Sequence, residues 1–284
     1  QVYFQYQVAF NGVSIAIAPD KVDELSGMSG VATVYPDIVR EVQMDASLPL
    51  INASAMWDKL GGESHAGEGI KVADVDTGLR PANPMFSGDG FTLPVGYPKG
   101  FCATNPLDPD FHCNNKVIAA RVFPDPTLPV AAEEVATPLD IDGHGSHTAG
   151  TAAGNQVTVP AGDTVPTDTV ISGVAPAAYL MVYKGLFEKP DHSGAYGSAS
   201  SLIAALNAAL SDGADVINNS WGGGVGDPNL NPEKPVIDAI TAAGTLVVFS
   251  AGNAGPDAHG HQTVPRAGRR RPGARHHHPQ SGQS

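Results

Sequence analysis

The chain has 284 residues, of which 42% are hydrophobic and 16% charged, with a formal net charge of −13. That much apolar material supports a sizeable core and excludes a disordered charged chain, while the acidic balance excludes a body built to neutralise phosphates. No run approaches about 18 apolar residues, so no membrane-crossing helix is expected.

Residues 2–18 alternate apolar and polar on either side of Asn11-Gly12, which predicts a hairpin turning at that dipeptide. Pro19 to Met28 has helical spacing, with Val22, Leu25 and Met28 on one face and Gly30 as a stop, and Val31–Tyr35 reads as a strand. These make a small β-β-α-β lobe over about residues 1–45. The chain opens on Gln1 with no basic and apolar leader pattern, and its N-terminus is read as incomplete. A connector with a short helix around Ala53–Leu60 follows, and Asn52-Ala53-Ser54 is a glycosylation sequon.

The pattern then changes to alternating strands and helices. Ile70–Val75 is a strand ending in Asp76-Thr77-Gly78, residues 79–143 read as a long loop-rich insertion, and His144–Ala153 as a helix of small residues. Tyr179–Tyr183, Asp215–Asn219 and Thr245–Ser250 read as strands, and Ala199–Leu210 and Pro235–Ala243 as helices. Such alternation predicts right-handed crossovers and a parallel α/β sheet, with function at the carboxyl ends of the strands. Two cysteines, Cys102 and Cys113, share a turn-rich loop. They read as a local disulfide, with two free thiols as the alternative, and a disulfide implies an oxidising compartment.

From about residue 258 the pattern stops. The tail holds five of the ten His, five Arg and no Asp or Glu. Its composition predicts disorder, and it reads as translation in a shifted frame.

Three polar turns follow strands or open helices. Asp76 suits a carboxylate held at a strand end, or simply a turn. His144 has glycine before and after it, leaving the ring uncrowded as a base. A metal on His144 and His147 lacks the Glu that a zinc-protease helix needs. Asn253 suits an oxyanion donor, or a turn asparagine in the left-handed region.

In order, Asp76-Thr77-Gly78, His144-Gly145-Ser146-His147-Thr148-Ala149-Gly150, Asn219-Ser220-Trp221-Gly222 and Ser250-Ala251-Gly252-Asn253 resemble the subtilisin-like serine proteases over roughly residues 1–257. The resemblance implies an incomplete parallel-sheet subtilisin-like domain over 46–257, preceded by the carboxyl-terminal part of an inhibitory propeptide over 1–45, with a processing junction near Met44–Ser47. It implies that Asp76 orients the imidazole, His144 is the base and Asn253 donates to the oxyanion. Ser220, Trp221 and Gly222 would form the backbone edge that pairs with substrate. It implies a secreted monomer with a polypeptide substrate and its own lobe as partners, no cofactor, no metal, and no nucleic-acid or membrane partner. One element departs from the family: no Gly-Thr-Ser occurs, and Ser281 and Ser284 are the only serines after Asn253. The chain as written is therefore expected to be inactive. The rival readings are a peptide-binding pseudoprotease and a propeptide-type inhibitor or chaperone.

Overall fold

The computed structural model describes residues 2–9, 11–37, 39–42, 48, 51–105, 109–161, 168–223 and 231–253. In chain order the elements begin β1 (Val2–Tyr6), β2 (Gly12–Ile15), α1 (Val22–Ser26), β3 (Val39–Val42) and α2 (Ala53–Leu60). They continue as β4 (Lys71–Asp76), β5 (Lys99–Gly100), α3 (Phe101–Thr104), β6 (Val117–Val122), α4 (His144–Ala153), β7 (Val157–Val159) and β8 (Thr169–Ile171). The last are β9 (Tyr179–Lys184), β10 (Phe187–Glu188), β11 (Ala195–Ser198), α5 (Ala199–Asp212), β12 (Val216–Asn219), β13 (Trp221–Gly222), α6 (Glu233–Ala242) and β14 (Leu246–Phe249).

Six strands form one sheet in the order β14-β12-β4-β9-β6-β5, and every pairing in it is parallel. From β4 the chain crosses to the far edge at β5, returns inward through β6 and β9, and then passes β4 to add β12 and β14 on the other side, so the direction of the connections reverses between β4 and β12. A crevice for ligands opens at the carboxyl ends of the strands at such a point. Strand alternation sends Ala73 and Val75 into the core under α5 and α6, with Leu202, Leu206, Val236 and Ile240. It sends Val72 into the core on the opposite face, with Ala149 and Ala153 of α4. Asp74 and Asp76 point the same way as Val72, and both are buried.

A second sheet of four short strands runs β10-β11-β3-β13. In it β3 lies between two partners, antiparallel to both. Tyr196, Gly197 and Ser198 face Glu41, Arg40 and Val39, while Trp221 and Gly222 face Val42 and Glu41. The N-terminal hairpin packs on α5, where the Tyr6 hydroxyl donates to Ser200 O (3.0 Å) and the Ala9 N–H to Asn207 Oδ1 (2.7 Å). Asp37 accepts from the Ser200 N–H (2.9 Å) and hydroxyl at the start of α5.

Four expectations from the sequence need correction. The hairpin does not turn at Asn11-Gly12: Tyr6 pairs with Gly12, so the loop precedes Gly12 and the glycine lies in β2. The contacts of Tyr6 and Ala9 with α5 place the loop, and this tertiary docking overrides the local turn preference. The predicted helix is a 3-10 turn (Pro19–Lys21) followed by α1, which closes at Gly27, and Val22 and Met28 are exposed. Val31–Tyr35 is not a strand; the strand comes later, at β3, where partner edges exist. The 79–143 stretch is not only loop, because it contributes β5, α3 and β6, and β6 is an inner strand of the main sheet.

Cys102 and Cys113 are joined in a disulfide with Cα atoms 5.4 Å apart, fastening α3 inside that stretch. Asn52 of the sequon is exposed, at φ +54°. The junction near Met44–Ser47 and the tail from 258 lie outside the described residues.

Candidate active site

β4 delivers Asp76 to the carboxyl edge of the sheet, and α4 begins there with His144. Gly143 makes the turn into the helix at φ +101°, a left-handed conformation that other residues adopt only at a cost. Gly145 lies so close to the turn after Asp76 that a Cβ on it would stand 2.3 Å from Gly78 O. The helix start and the strand end therefore meet directly, and the Gly145 N–H donates to Thr77 Oγ1 at 2.7 Å.

His144 Nδ1 lies 2.8 Å from Asp76 Oδ1, and the Thr77 N–H donates to the same oxygen at 2.7 Å. The Asp76 side chain is 1% exposed and the His144 side chain 13%. Burial opposes a charged ring, but the hydrogen bond and charge of Asp76 outweigh it and hold His144 above the ordinary histidine range. His144 Nε2 has no hydrogen-bond partner among the described residues. With the Nδ1 proton facing the carboxylate, the Nε2 lone pair is free to take a proton, which is the arrangement of an oriented general base.

Asp140 organises the approach to this pair. Its two oxygens accept from Thr77 Oγ1, the Gly143 N–H, the Ser146 N–H and the Ser146 hydroxyl at 2.6–2.8 Å. Arg80 clamps the same loop through the carbonyls of Asp140 and Ile141. Sequence reading left Asp140 inside the insertion, although its place just ahead of the Asp142-Gly143-His144 helix start is a recognisable capping signal.

Of the other predicted residues, Trp221 is 1% exposed. Its indole N–H donates to Val75 O at 2.9 Å and its ring meets Phe249 edge-on. Its backbone and that of Gly222 pair with β3. Ser220 precedes that strand, and its hydroxyl oxygen lies 3.1 Å from Asn218 Nδ2. Asn253 is exposed, four residues beyond β14, whose carboxyl end lies on the same sheet edge as those of β4 and β12. Beside β11 opens a cavity of about 250 Å³ lined in part by Pro124, Leu128, Val130, Phe187 and Tyr196. A fully buried Lys184–Glu134 ion pair (2.6 Å) ties its outer loop to the end of β9. No periodic signal marks that loop, so the cavity was invisible in the sequence.

The chain matches the model of the subtilase family over residues 67–269. It is 32% identical over 268 residues to subtilisin-like protease SBT2.1 of Arabidopsis thaliana, covering 89% of this chain and 31% of that protein. It is 33% identical over 266 residues to subtilisin-like protease SBT1.4 of the same plant, covering 89% of this chain and 33% of that protein. The chain spans about a third of the length of the curated relatives it matches.

Proposed function

Because the chain belongs to the subtilase family, we propose that it supplies the acid–base half of a serine endopeptidase. His144 takes the proton of a serine nucleophile and Asp76 holds its tautomer. The observation that carries this is the 2.8 Å contact between Asp76 Oδ1 and His144 Nδ1 at the carboxyl edge of a parallel sheet. Asn253 serves as the oxyanion donor in this reading. The substrate is an extended polypeptide, taken as an added strand on the β11 and β13 edges, a mode in which backbone hydrogen bonds give affinity.

Residues 1–45 act as the inhibitory lobe. The antiparallel pairing of β3 with both edges supports this, since a substrate strand would need the same backbone groups. The disulfide supports a secreted, oxidising setting. The 284-residue polypeptide holds no Gly-Thr-Ser, so it binds peptide without turning it over.

A fluorophosphonate probe and a peptide substrate test this on the purified chain. The expected result is neither labelling nor hydrolysis by the 284-residue chain, with both appearing in a longer polypeptide that adds a Gly-Thr-Ser segment, and both lost on His144→Ala. Hydrolysis by the 284-residue chain itself would overturn the assignment of its missing nucleophile.

Docking of the lobe has its own test. Asp37→Ala removes the acceptor for the Ser200 N–H at the start of α5. Losing such a cap costs about 1 kcal/mol, so amide exchange at residues 39–42 should quicken about 5-fold. Unchanged exchange would separate Asp37 from docking.

A further inference from the structure

Asp74 sits two residues before Asp76 on β4 and on the same face, about 6.6 Å away along the strand. It is 3% exposed, in a strand whose apolar side chains, Val72, Ala73 and Val75, enter the core on both faces. A buried carboxylate of this kind is normally surrounded by donors, as Asp140 is by four. Asp74 has two partners among the described residues. Asn218 Nδ2 donates to Oδ1 at 2.8 Å, and Thr148 Oγ1 lies 2.8 Å from Oδ2.

The proton count of Thr148 decides what Asp74 is. Its hydroxyl oxygen is also 3.0 Å from Gly145 O, one turn back in α4, and a hydroxyl carries one proton. If Thr148 donates to Asp74, its oxygen faces the Gly145 carbonyl as acceptor against acceptor. If it donates to Gly145 O, as helical threonines commonly do to the preceding turn, the proton in the 2.8 Å contact must come from Asp74. Only the second arrangement leaves no acceptor facing an acceptor.

We propose that Asp74 is a neutral carboxylic acid at neutral pH and a positioning residue of this site. Its Oδ2–H donates to Thr148 on the helix that opens with His144. Its Oδ1 accepts from Asn218 on the strand that leads to Ser220 and Trp221. One side chain thus joins the element carrying the base to the element carrying the binding edge, directly behind Asp76.

Electrostatics act in the same direction. Burial pushes the Asp74 carboxyl well up, and the Asp76 charge adds to it. Between the two carboxyls the proton belongs on Asp74, because Asp76 receives the imidazole and the Thr77 N–H. The titratable groups facing Asp74 are Asp76 from its own strand and His144 from α4. The flanking strands place Asn218 and Val182 beside it, both uncharged.

The inference rests on the reading of Asp76 and His144 as the acid–base couple, and its test needs no turnover. The intact 284-residue chain, labelled with carbon-13 at aspartate carboxyls, is followed by NMR from about pH 5 to 9, where ordinary carboxyls are ionised. One resonance is expected to keep its protonated shift through neutral pH and to vanish in Asp74→Asn. That amide imitates the neutral acid, with a donor toward Thr148 and an acceptor toward Asn218, so the His144 midpoint should move by less than about 0.3 pH units. Asp74→Val cannot bridge, and the His144 Nδ1 proton should then exchange at least about 10-fold faster. The proposal is overturned if every aspartate carboxyl is already ionised at pH 6. A fall of about one unit or more in the His144 midpoint in Asp74→Asn, the mark of a lost charge, would overturn it equally. The low-field Nδ1 proton of His144 reports separately on the Asp76 couple. Its absence beside a protonated Asp74 would sink the protease reading and leave the proton on Asp74 standing.

Discussion

In a polypeptide that carries this chain together with a serine nucleophile, Asp76→Asn is expected to lower kcat about 10⁴-fold, the loss that follows when a triad carboxylate becomes an amide. The change is nearly isosteric, so geometry survives and the electrostatics do not. Asp76 Oδ1 now holds the Nδ1 proton of His144 at 2.8 Å. An amide side chain can turn its NH₂ toward Nδ1 instead, which moves the ring proton to Nε2 and removes the base. The 284-residue chain alone reports the same effect through the imidazole titration. In the folded protein Asp76 holds the His144 midpoint above the ordinary histidine value against the opposing effect of burial. A raised midpoint means that the pair stabilises the fold fully below about pH 6.5, the unfolded value, and that this contribution fades as pH rises through the folded one. In Asp76→Asn burial loses its main opponent, so the midpoint should fall. An unchanged midpoint with unchanged kcat would remove Asp76 from the site.

The largest stability effect is expected at Asp212, at the end of α5. Its carboxylate takes Arg121 through two parallel bonds of 2.7 and 2.8 Å and the Tyr183 hydroxyl at 3.0 Å. Its carbonyl takes the Tyr97 hydroxyl and Lys99 Nζ. This residue joins α5 to β5, β6 and β9 on one side of the sheet. Asp212→Ala strips the carboxylate partners and should cost about 3 kcal/mol in urea unfolding, the low end for a broken buried ion pair. The low end applies because the Arg121 side chain is 38% exposed and rehydrates. The Lys71–Asp215 pair is the contrast. Asp215 is 42% exposed, and Asp215→Ala should cost less than about 1 kcal/mol through that pair. Equal losses at the two sites would show that burial does not govern them.

The parts of the site legible in the sequence were those announced by local chemistry. A polar turn after an apolar strand marked Asp76. Glycines before and after a histidine, ahead of a run of small residues, marked the start of α4, which spans His144–Ala153 as read. Asp74 also left a trace, since strand alternation puts it on the Asp76 face, where a carboxylate in a doubly buried parallel strand is out of place. That trace gives no donor count, and the count depends on Thr148 and Asn218, 74 and 144 residues away in sequence.

Periodicity and turn chemistry were enough, from the residues alone, to predict a parallel α/β sheet with polar turns at its carboxyl edge, because those signals act within a few residues; the roles of Asp76 and His144 came from the family resemblance. On α5, Leu202, Ala205 and Leu206 are fully buried and Leu210 is partly buried against the same core, a stripe at helical spacing. The seating of β3 between β11 and β13, the β6 strand inside an apparent loop and the four-partner hub at Asp212 came only with folding. The backbone groups of β3 and β6 are satisfied by edges far along the chain, which no local signal announces. A protonation state such as that of Asp74 is set in the same way, by how many donors the fold brings within reach of a buried oxygen.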